Sequence, residues 1–368
     1  MTSPAPADAA RSATETAPLR CAVIGVGRMG RHHARIWAQG AGANGRTELV
    51  GVVDPDEAAA GRILEEWGGT HFRSVDELLA HGVDAVTVAV PTTHHRAVAE
   101  PLLAAGVHCL IEKPLAEDAA TAEAIAAAAK ASGAVLQVGH VVRYDPVMRA
   151  ILRVAGVVPR FVQMDRISPM TFRSIDVGVV LDMMIHDLDL LMMLVGREPA
   201  HVHASAVNVM GEAEDVCNAR LEFAPGADHT RGDGERRPGC VANVTASRLA
   251  LKTERKIRIL AEDAYVSADF VSRTGTVVRR TANEAQLEEW KGRLAAGEDL
   301  SSVDYRELVE VEPLEVEEGE PLRLQADDFV AAIRDGRKVQ VDAEAGAAAV
   351  RTAERIVAEA KAAAQRMA

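Results

Sequence analysis

The chain has 368 residues, enough for two domains with buried cores, and its 48% apolar and 26% charged content is that of a globular protein. With 41 Lys and Arg against 54 Asp and Glu, the formal net charge of −13 argues against a nucleic-acid-binding surface as a main role. No apolar run reaches the ~20 residues of a membrane span, so no membrane partner is expected.

Residues 1–18 are rich in Ala, Ser, Thr and Pro, lack the apolar stretch of a secretory leader, and are expected to form a disordered tail. Residues 19–26 (LRCAVIGV) read as a strand that runs into Gly25-Val26-Gly27-Arg28-Met29-Gly30, and a helix is predicted over 29–39. Further strands are predicted at 49–53, 83–90, 107–111 and 135–138, with helices at 58–67, 96–105 and 119–132 between them. Apolar runs separated by helices predict a parallel sheet covered on both faces, with right-handed crossovers. This part, residues 19–139, is the expected first domain of an α/β protein.

Beyond residue 139 the pattern changes. Alternating segments at 160–166, 201–207, 216–223, 241–248, 255–260, 265–270 and 276–280 read as half-buried antiparallel strands. A helix at 179–194, stopped by Gly196, interrupts them. Residues 140–340 are therefore expected to form an α+β domain with an open, mainly antiparallel sheet. The Gly/Pro-rich stretch 225–239 reads as a long loop, either a substrate lid or an idle insertion. Residues 283–320 are acidic and poorly patterned, 326–334 and 343–364 read as helices, and 341–368 is expected to pack back on the rest.

Cys21, Cys109, Cys217 and Cys240 are far apart and form no C-x-x-C pair, as expected of reduced thiols in a cytoplasmic protein. His201 and His203 alternate on a strand but have no Cys or carboxylate at ligand spacing, so no metal site is expected.

A glycine loop alone is a weak signal, and its place between a strand and a helix gives it meaning. Gly25 permits the tight turn, Gly27 lets the backbone approach a pyrophosphate, and Gly30 permits close helix–strand packing. The N–H groups of Arg28, Met29 and Gly30 open the helix and are available to phosphate. Asp54, 24 residues past Gly30 at the end of the second strand, can accept both ribose hydroxyls of NAD and would repel the 2′-phosphate of NADP. Pro55 and Asp56 follow it, with no Arg or Ser there to hold that phosphate, so NAD is the expected cofactor.

Four more segments follow the glycine loop in order: Pro91-Thr92-Thr93-His94-His95, Glu112-Lys113-Pro114, Gly139-His140-Val141-Val142-Arg143-Tyr144 and Asp182-Met183-Met184-Ile185-His186-Asp187. With them the chain resembles the Gfo/Idh/MocA family, which groups glucose–fructose oxidoreductase, inositol dehydrogenase and related sugar dehydrogenases. Residues 320–336 (EPLRLQADDFVAAIRDG) resemble the family's last segment. The resemblance implies a Rossmann domain, a second α/β domain whose open sheet forms a homodimer or homotetramer interface, and a cleft between the domains. It also implies that Lys113, Asp182 and His186 are catalytic and that Pro91, Thr92, His95 and Glu112 lie near the nicotinamide or its ribose.

Those residue types suit oxidation of a secondary alcohol, which must lose a hydride and a hydroxyl proton. Asp182 and His186 are four apart on the predicted helix and share a face. The histidine can take the proton, the aspartate can orient the ring, and Lys113 can stabilise developing alkoxide charge. Other roles compete: Asp182 as partner of Arg173 or Arg143, Asp187 and Asp189 in salt bridges, and His140 and Tyr144 in packing. His32 and His33 read as helix residues with no chemical role.

Arg143, Tyr144 and Arg173 are the candidate substrate contacts, and Arg166 and Lys252 add positive charge. Residues 177–191 (VGVVLDMMIHDLDLL) resemble bacterial family members that oxidise the 3-hydroxyl of UDP-N-acetylglucosamine. Three readings stay open: a UDP-N-acetyl sugar 3-dehydrogenase, an inositol or free-sugar dehydrogenase, and a catalytically silent NAD-binding regulator.

Overall fold

The computed structural model describes residues 17–42, 45–171, 177–227, 236–281, 284–299, 304 and 308–367. They form two compact units, one running through Tyr144 and resuming over Gly319–Glu354, the other holding Asp145–Glu318 and the chain from Arg355 on.

The first unit contains β1 (Leu19–Ile24), α1 (Arg28–Ala38), β2 (Thr47–Val53), α2 (Glu57–Trp67), β3 (Thr70–Phe72), α3 (Val75–His81), β4 (Ala85–Val88), α4 (His95–Ala104), β5 (His108–Ile111), α5 (Ala119–Ser132) and β6 (Leu136–Val138). The strands pair in parallel in the order β3-β2-β1-β4-β5-β6. Chain order reverses between β1 and β4, and in open parallel sheets ligands bind outside the carboxyl ends of the strands at such a point. The loop Gly25–Gly30 leaves β1 at this place. Asp56 caps α2 by accepting from the N–H groups of Ala58 and Ala59, and Asp118 caps α5 by accepting from Thr121. The short β3 and α3 lack enough periods to stand out in the sequence.

The second unit contains α6 (Pro146–Arg153), β7 (Phe161–Ile167), a π-turn over Val180–Met184 that continues into α7 (Ile185–Val195), β8 (His201–Val207), β9 (Val216–Phe223), β10 (Gly226–Ala227), β11 (Arg236–Arg237), β12 (Cys240–Ser247), β13 (Glu254–Leu260), β14 (Ala264–Asp269), β15 (Thr274–Arg280), α8 (Glu284–Ala295) and β16 (Val309–Pro313). Its large sheet has the order β16-β15-β14-β13-β7-β12-β9-β8, antiparallel except between β7 and β12. Alternation works as expected: Cys217, Ala219, Leu221 and Phe223 of β9 are buried, while Asn218 and Arg220 face out. The π-turn and α7 pack on the inner face, against β7 and β12. Within the expected loop 225–239, β10 and β11 pair as a hairpin, and residues 228–235 lie outside the described residues. The acidic stretch after residue 283 contributes α8 and the edge strand β16.

Two helices end the chain, α9 (Pro321–Asp335) and α10 (Ala343–Met367). The expected second domain reached residue 340, but α9 belongs to the first unit. Leu322, Ala326, Phe329 and Val330 give it an apolar face that completes the core around Trp37, whose ring centroid lies 6.2 Å from that of Phe329. α10 is divided, with residues up to Glu354 in the first unit and those from Arg355 in the second.

All four cysteines are free and buried. Burial pushes their thiols up, Cys217 and Cys240 to about 12, so they are inert at neutral pH. Among the described residues, no helix is long and apolar enough to cross a membrane, and no group of three His, Cys, Asp or Glu side chains is placed to hold a metal.

Candidate active site

The glycine loop in the first unit is shaped by close backbone approaches. Gly25 has φ +85°, and a Cβ there would sit 2.7 Å from the Ala89 carbonyl oxygen. A Cβ on Gly30 would sit 1.8 Å from the Gly25 carbonyl oxygen, so only glycine lets α1 start this close to β1. Gly27 differs, because a Cβ on it would meet nothing within 4 Å. Open space beside that backbone, at a helix start with no side-chain cap, suits a pyrophosphate.

Asp54 closes the other side of the loop. Its Oδ2 accepts from the N–H of Val26 at 2.7 Å, and its Oδ1 accepts from the N–H of Asp56 at 2.8 Å. The carboxylate is thus aimed by backbone before any ligand binds, and each oxygen keeps a lone pair for a ribose hydroxyl. These residues fit the adenosine half of NAD.

Glu112 and Lys113 leave the carboxyl end of β5, two strands from β1 in the sheet. Glu112 is buried, its Oε1 lies 2.7 Å from Nε2 of His33, and its Oε2 accepts from the Lys113 N–H at 3.2 Å. Burial pushes the Glu112 carboxyl up, but the hydrogen bond and charge of His33, with the charge of Lys113, outweigh it and hold the group below its usual value. Gly139 makes room for it, since a Cβ there would lie 2.9 Å from Oε2. The Lys113–Pro114 peptide bond is cis.

His33 is therefore a correction to the sequence analysis, which gave it no role. It is fully buried, and its Nδ1 has no hydrogen-bond partner among the described residues. The 2.7 Å contact with Glu112 is the length of a ring N–H donating to a carboxylate oxygen. No local pattern could reveal the pair, because the partners are 79 residues apart.

His95, expected near the nicotinamide or its ribose, is buried in the first unit. Its Nε2 lies 3.0 Å from the Val90 carbonyl and its Nδ1 3.2 Å from the Leu115 carbonyl, so the ring sits between the loops after β4 and β5 and, when neutral, donates to one of them. Burial pushes its pKa below the usual histidine value. Pro91 and Thr92 sit at the start of a 3₁₀ turn, Thr92–His94, just beyond β4.

Arg143 and Tyr144, expected at the substrate, are buried in the first unit. The Tyr144 hydroxyl donates to Asp328 at 2.7 Å and accepts from Gln137 Nε2 at 2.8 Å, while Arg143 Nη1 donates to the Gln340 carbonyl at 2.6 Å. Both fasten α9 and the chain beyond it to the segment after β6. Arg173 lies outside the described residues.

In the second unit, Asp182 lies in the π-turn and His186 in the first turn of α7. Both are half-buried. The expected continuous α-helix thus begins one hydrogen-bond step wider, a feature frequent at functional sites. Glu214 holds its start, with its carbonyl accepting from Val179 N–H at 2.9 Å and its carboxylate from Val180 N–H at 3.3 Å. Asp187 is bound by Arg166 through two hydrogen bonds, 2.6 Å and 3.0 Å, which pin α7 to β7. Arg166, expected as a substrate-side charge, is committed to that pair. Arg248 and Asp215 form a second buried ion pair at 2.6 Å, and Arg248 Nη1 also donates to the Val177 carbonyl at 2.7 Å.

Residues 19–140 match the Gfo/Idh/MocA oxidoreductase family's NAD-binding Rossmann fold, and residues 151–267 match the family's C-terminal domain. The chain is 37% identical over 264 residues to UDP-N-acetylglucosamine 3-dehydrogenase of Acidithiobacillus ferrooxidans, covering 72% of this chain and 78% of that protein. The chain belongs to the Gfo/Idh/MocA family. Its fold agrees: a solved structure of the same Acidithiobacillus ferrooxidans enzyme matches with a TM-score of 0.78 at 32% identity, over 94% of this chain and 98% of that one. Another relative is a myo-inositol dehydrogenase of Streptomyces leeuwenhoekii, 38% identical over 193 residues, or 50% of this chain and 58% of that protein. As a family member the protein is an NAD-dependent oxidoreductase.

Proposed function

We propose that this enzyme oxidises a secondary hydroxyl of a nucleotide-linked sugar, the 3-hydroxyl of a UDP-N-acetyl sugar, with NAD as hydride acceptor. The observation that carries the reading is the 37% identity to a UDP-N-acetylglucosamine 3-dehydrogenase across most of both chains, with Lys113, Asp182 and His186 all present. His186 takes the hydroxyl proton, Asp182 orients its ring, and Lys113 donates to the substrate oxygen as alkoxide charge develops. NAD, when bound, supplies the hydride acceptor. The loop from Gly25 to Gly30, with the Arg28 and Met29 N–H groups, holds its phosphates, Asp54 its adenosine ribose, and Pro91, Thr92 and Glu112 line the nicotinamide end. The test is NADH formation at 340 nm with UDP-N-acetylglucosamine against myo-inositol and free glucose. Turnover of the inositol or glucose alone would replace the nucleotide-sugar reading with the second one, which the Streptomyces leeuwenhoekii relative favours.

Asp54→Ala is expected to weaken NAD about 10–100-fold, the loss of two hydrogen bonds to a charged acceptor, and to narrow the preference over NADP. Fluorescence titration with both nucleotides reads this. An unchanged preference would place Asp54 away from the ribose.

The second sheet is proposed to pair with a copy of itself in the cytoplasm. Val241, Phe161, Leu260, Tyr265, Val278 and Val311 fall in one register row across its outer face, with Leu260 40% and Val311 56% exposed. A monomeric mass by light scattering would end the idea.

A further inference from the structure

We propose that His33 and Glu112 act as a positioning pair for Lys113, with α1 transmitting the location of the dinucleotide-binding loop to the segment that carries the lysine hydrogen-bonded to the substrate oxygen. The inference rests on Lys113 acting as described above.

Three features converge on one carboxylate. His33 Nε2 holds Oε1 at 2.7 Å, the Lys113 N–H binds Oε2 at 3.2 Å, and Gly139 leaves the space that the carboxylate fills. β5 ends at Ile111, so the Lys113 N–H has left the strand's own ladder, and the Glu112 side chain gives it an acceptor. His33 lies on α1, the helix whose first N–H groups stand at the glycine loop. Phosphate site and lysine segment are therefore joined through one helix and one side-chain pair.

A staple alone does not explain this choice. α1 and the central strands already share an apolar core that includes Val23, Ile36, Trp37 and Leu110. An apolar pair at positions 33 and 112 would extend that core without burying a charge. The chain instead buries a carboxylate and leaves His33 Nδ1 without a partner among the described residues. Such an arrangement is retained where direction matters, because a hydrogen-bonded pair fixes orientation and an apolar contact does not. Other titratable groups act on Glu112 besides His33: Lys113 beside it, and His95 on α4, which senses its charge.

The experiment compares wild type, His33→Leu and His33→Gln as full-length enzyme, by single-turnover NADH formation, NAD titration and thermal unfolding. His33→Leu removes the donor to Oε1, while His33→Gln keeps an N–H that can reach it. The expected result is a hydride-transfer rate about 10–100-fold lower in His33→Leu with NAD affinity near wild type, a lowered melting temperature from the stranded Glu112 carboxylate, and recovery of most of the rate and stability in His33→Gln. Three results overturn the proposal: wild-type rates in His33→Leu, parallel loss of rate, NAD affinity and stability in both variants, or no recovery in His33→Gln. If wild type itself turns over no sugar or cyclitol, the dehydrogenase reading falls and takes this inference with it.

Discussion

His186→Ala is expected to lower kcat about 10²–10⁴-fold, the range in which a positioned general base acts, while the dissociation constant for NAD changes less than about threefold. The separation follows from where the residues reside. The glycine loop, Asp54 and Glu112 all belong to the first unit, whereas His186 starts α7 in the second. On the proposed mechanism, truncating His186 removes the proton acceptor while the residues of the nucleotide loop are unchanged. Asp182→Asn, one turn earlier, keeps the size and a hydrogen-bonding side chain but loses the charge that favours the protonated ring, so its loss should be smaller. Stopped-flow NADH formation together with NAD titration measures both. Full turnover by His186→Ala would remove it from the chemistry.

Breaking the Arg166–Asp187 pair has a large expected cost in stability. Both side chains are nearly excluded from solvent, at 8% and 4% exposure, so removing one partner strands a charge, a loss of about 3–5 kcal/mol. The two deletions should not be equal. Arg255 stands opposite Arg166 in the β7–β13 register and interacts with Asp187. In Arg166→Met it remains to compensate the aspartate, which puts that variant at the low end of the range. In Asp187→Leu two arginines face each other with Asp145 as their remaining acid, which puts it nearer the high end. The double variant Arg166→Met/Asp187→Leu should recover much of the loss, since similar apolar volume replaces a buried pair at little cost. Urea unfolding followed by circular dichroism checks the order. Single variants within about 1 kcal/mol of wild type would show that the pair contributes little.

Much of the site was legible from local signals. A strand, three glycines and a helix in succession have one compact solution, and the Cβ clearances at Gly25 and Gly30 show why. Strict alternation marked the strands of the second sheet, and Gly196 ended α7 in the left-handed conformation as expected. Elements with few periods escaped, among them β3, α3 and β16. Other features take partners that composition does not name. α9 is amphipathic, but nothing along its length says that its apolar face meets Trp37. Tyr144 and Arg143 carry groups suited to a substrate, and the fold uses them on Asp328 and Gln340. Arg166 was legible as a positive charge, and only the packing of α7 on β7 shows that Asp187 neutralises it.

The amino-acid order alone determined the fold class, the nucleotide loop with Asp54 and the family, because each is written in residues that are neighbours in the chain or repeat at a fixed period. Tertiary structure decided how the charged and polar side chains are spent: His33 on Glu112, His95 between two carbonyls, Asp187 on Arg166. The physical reason is that burying a polar group is tolerable only with a partner at hydrogen-bond distance, and that distance is set by packing between segments remote in the chain.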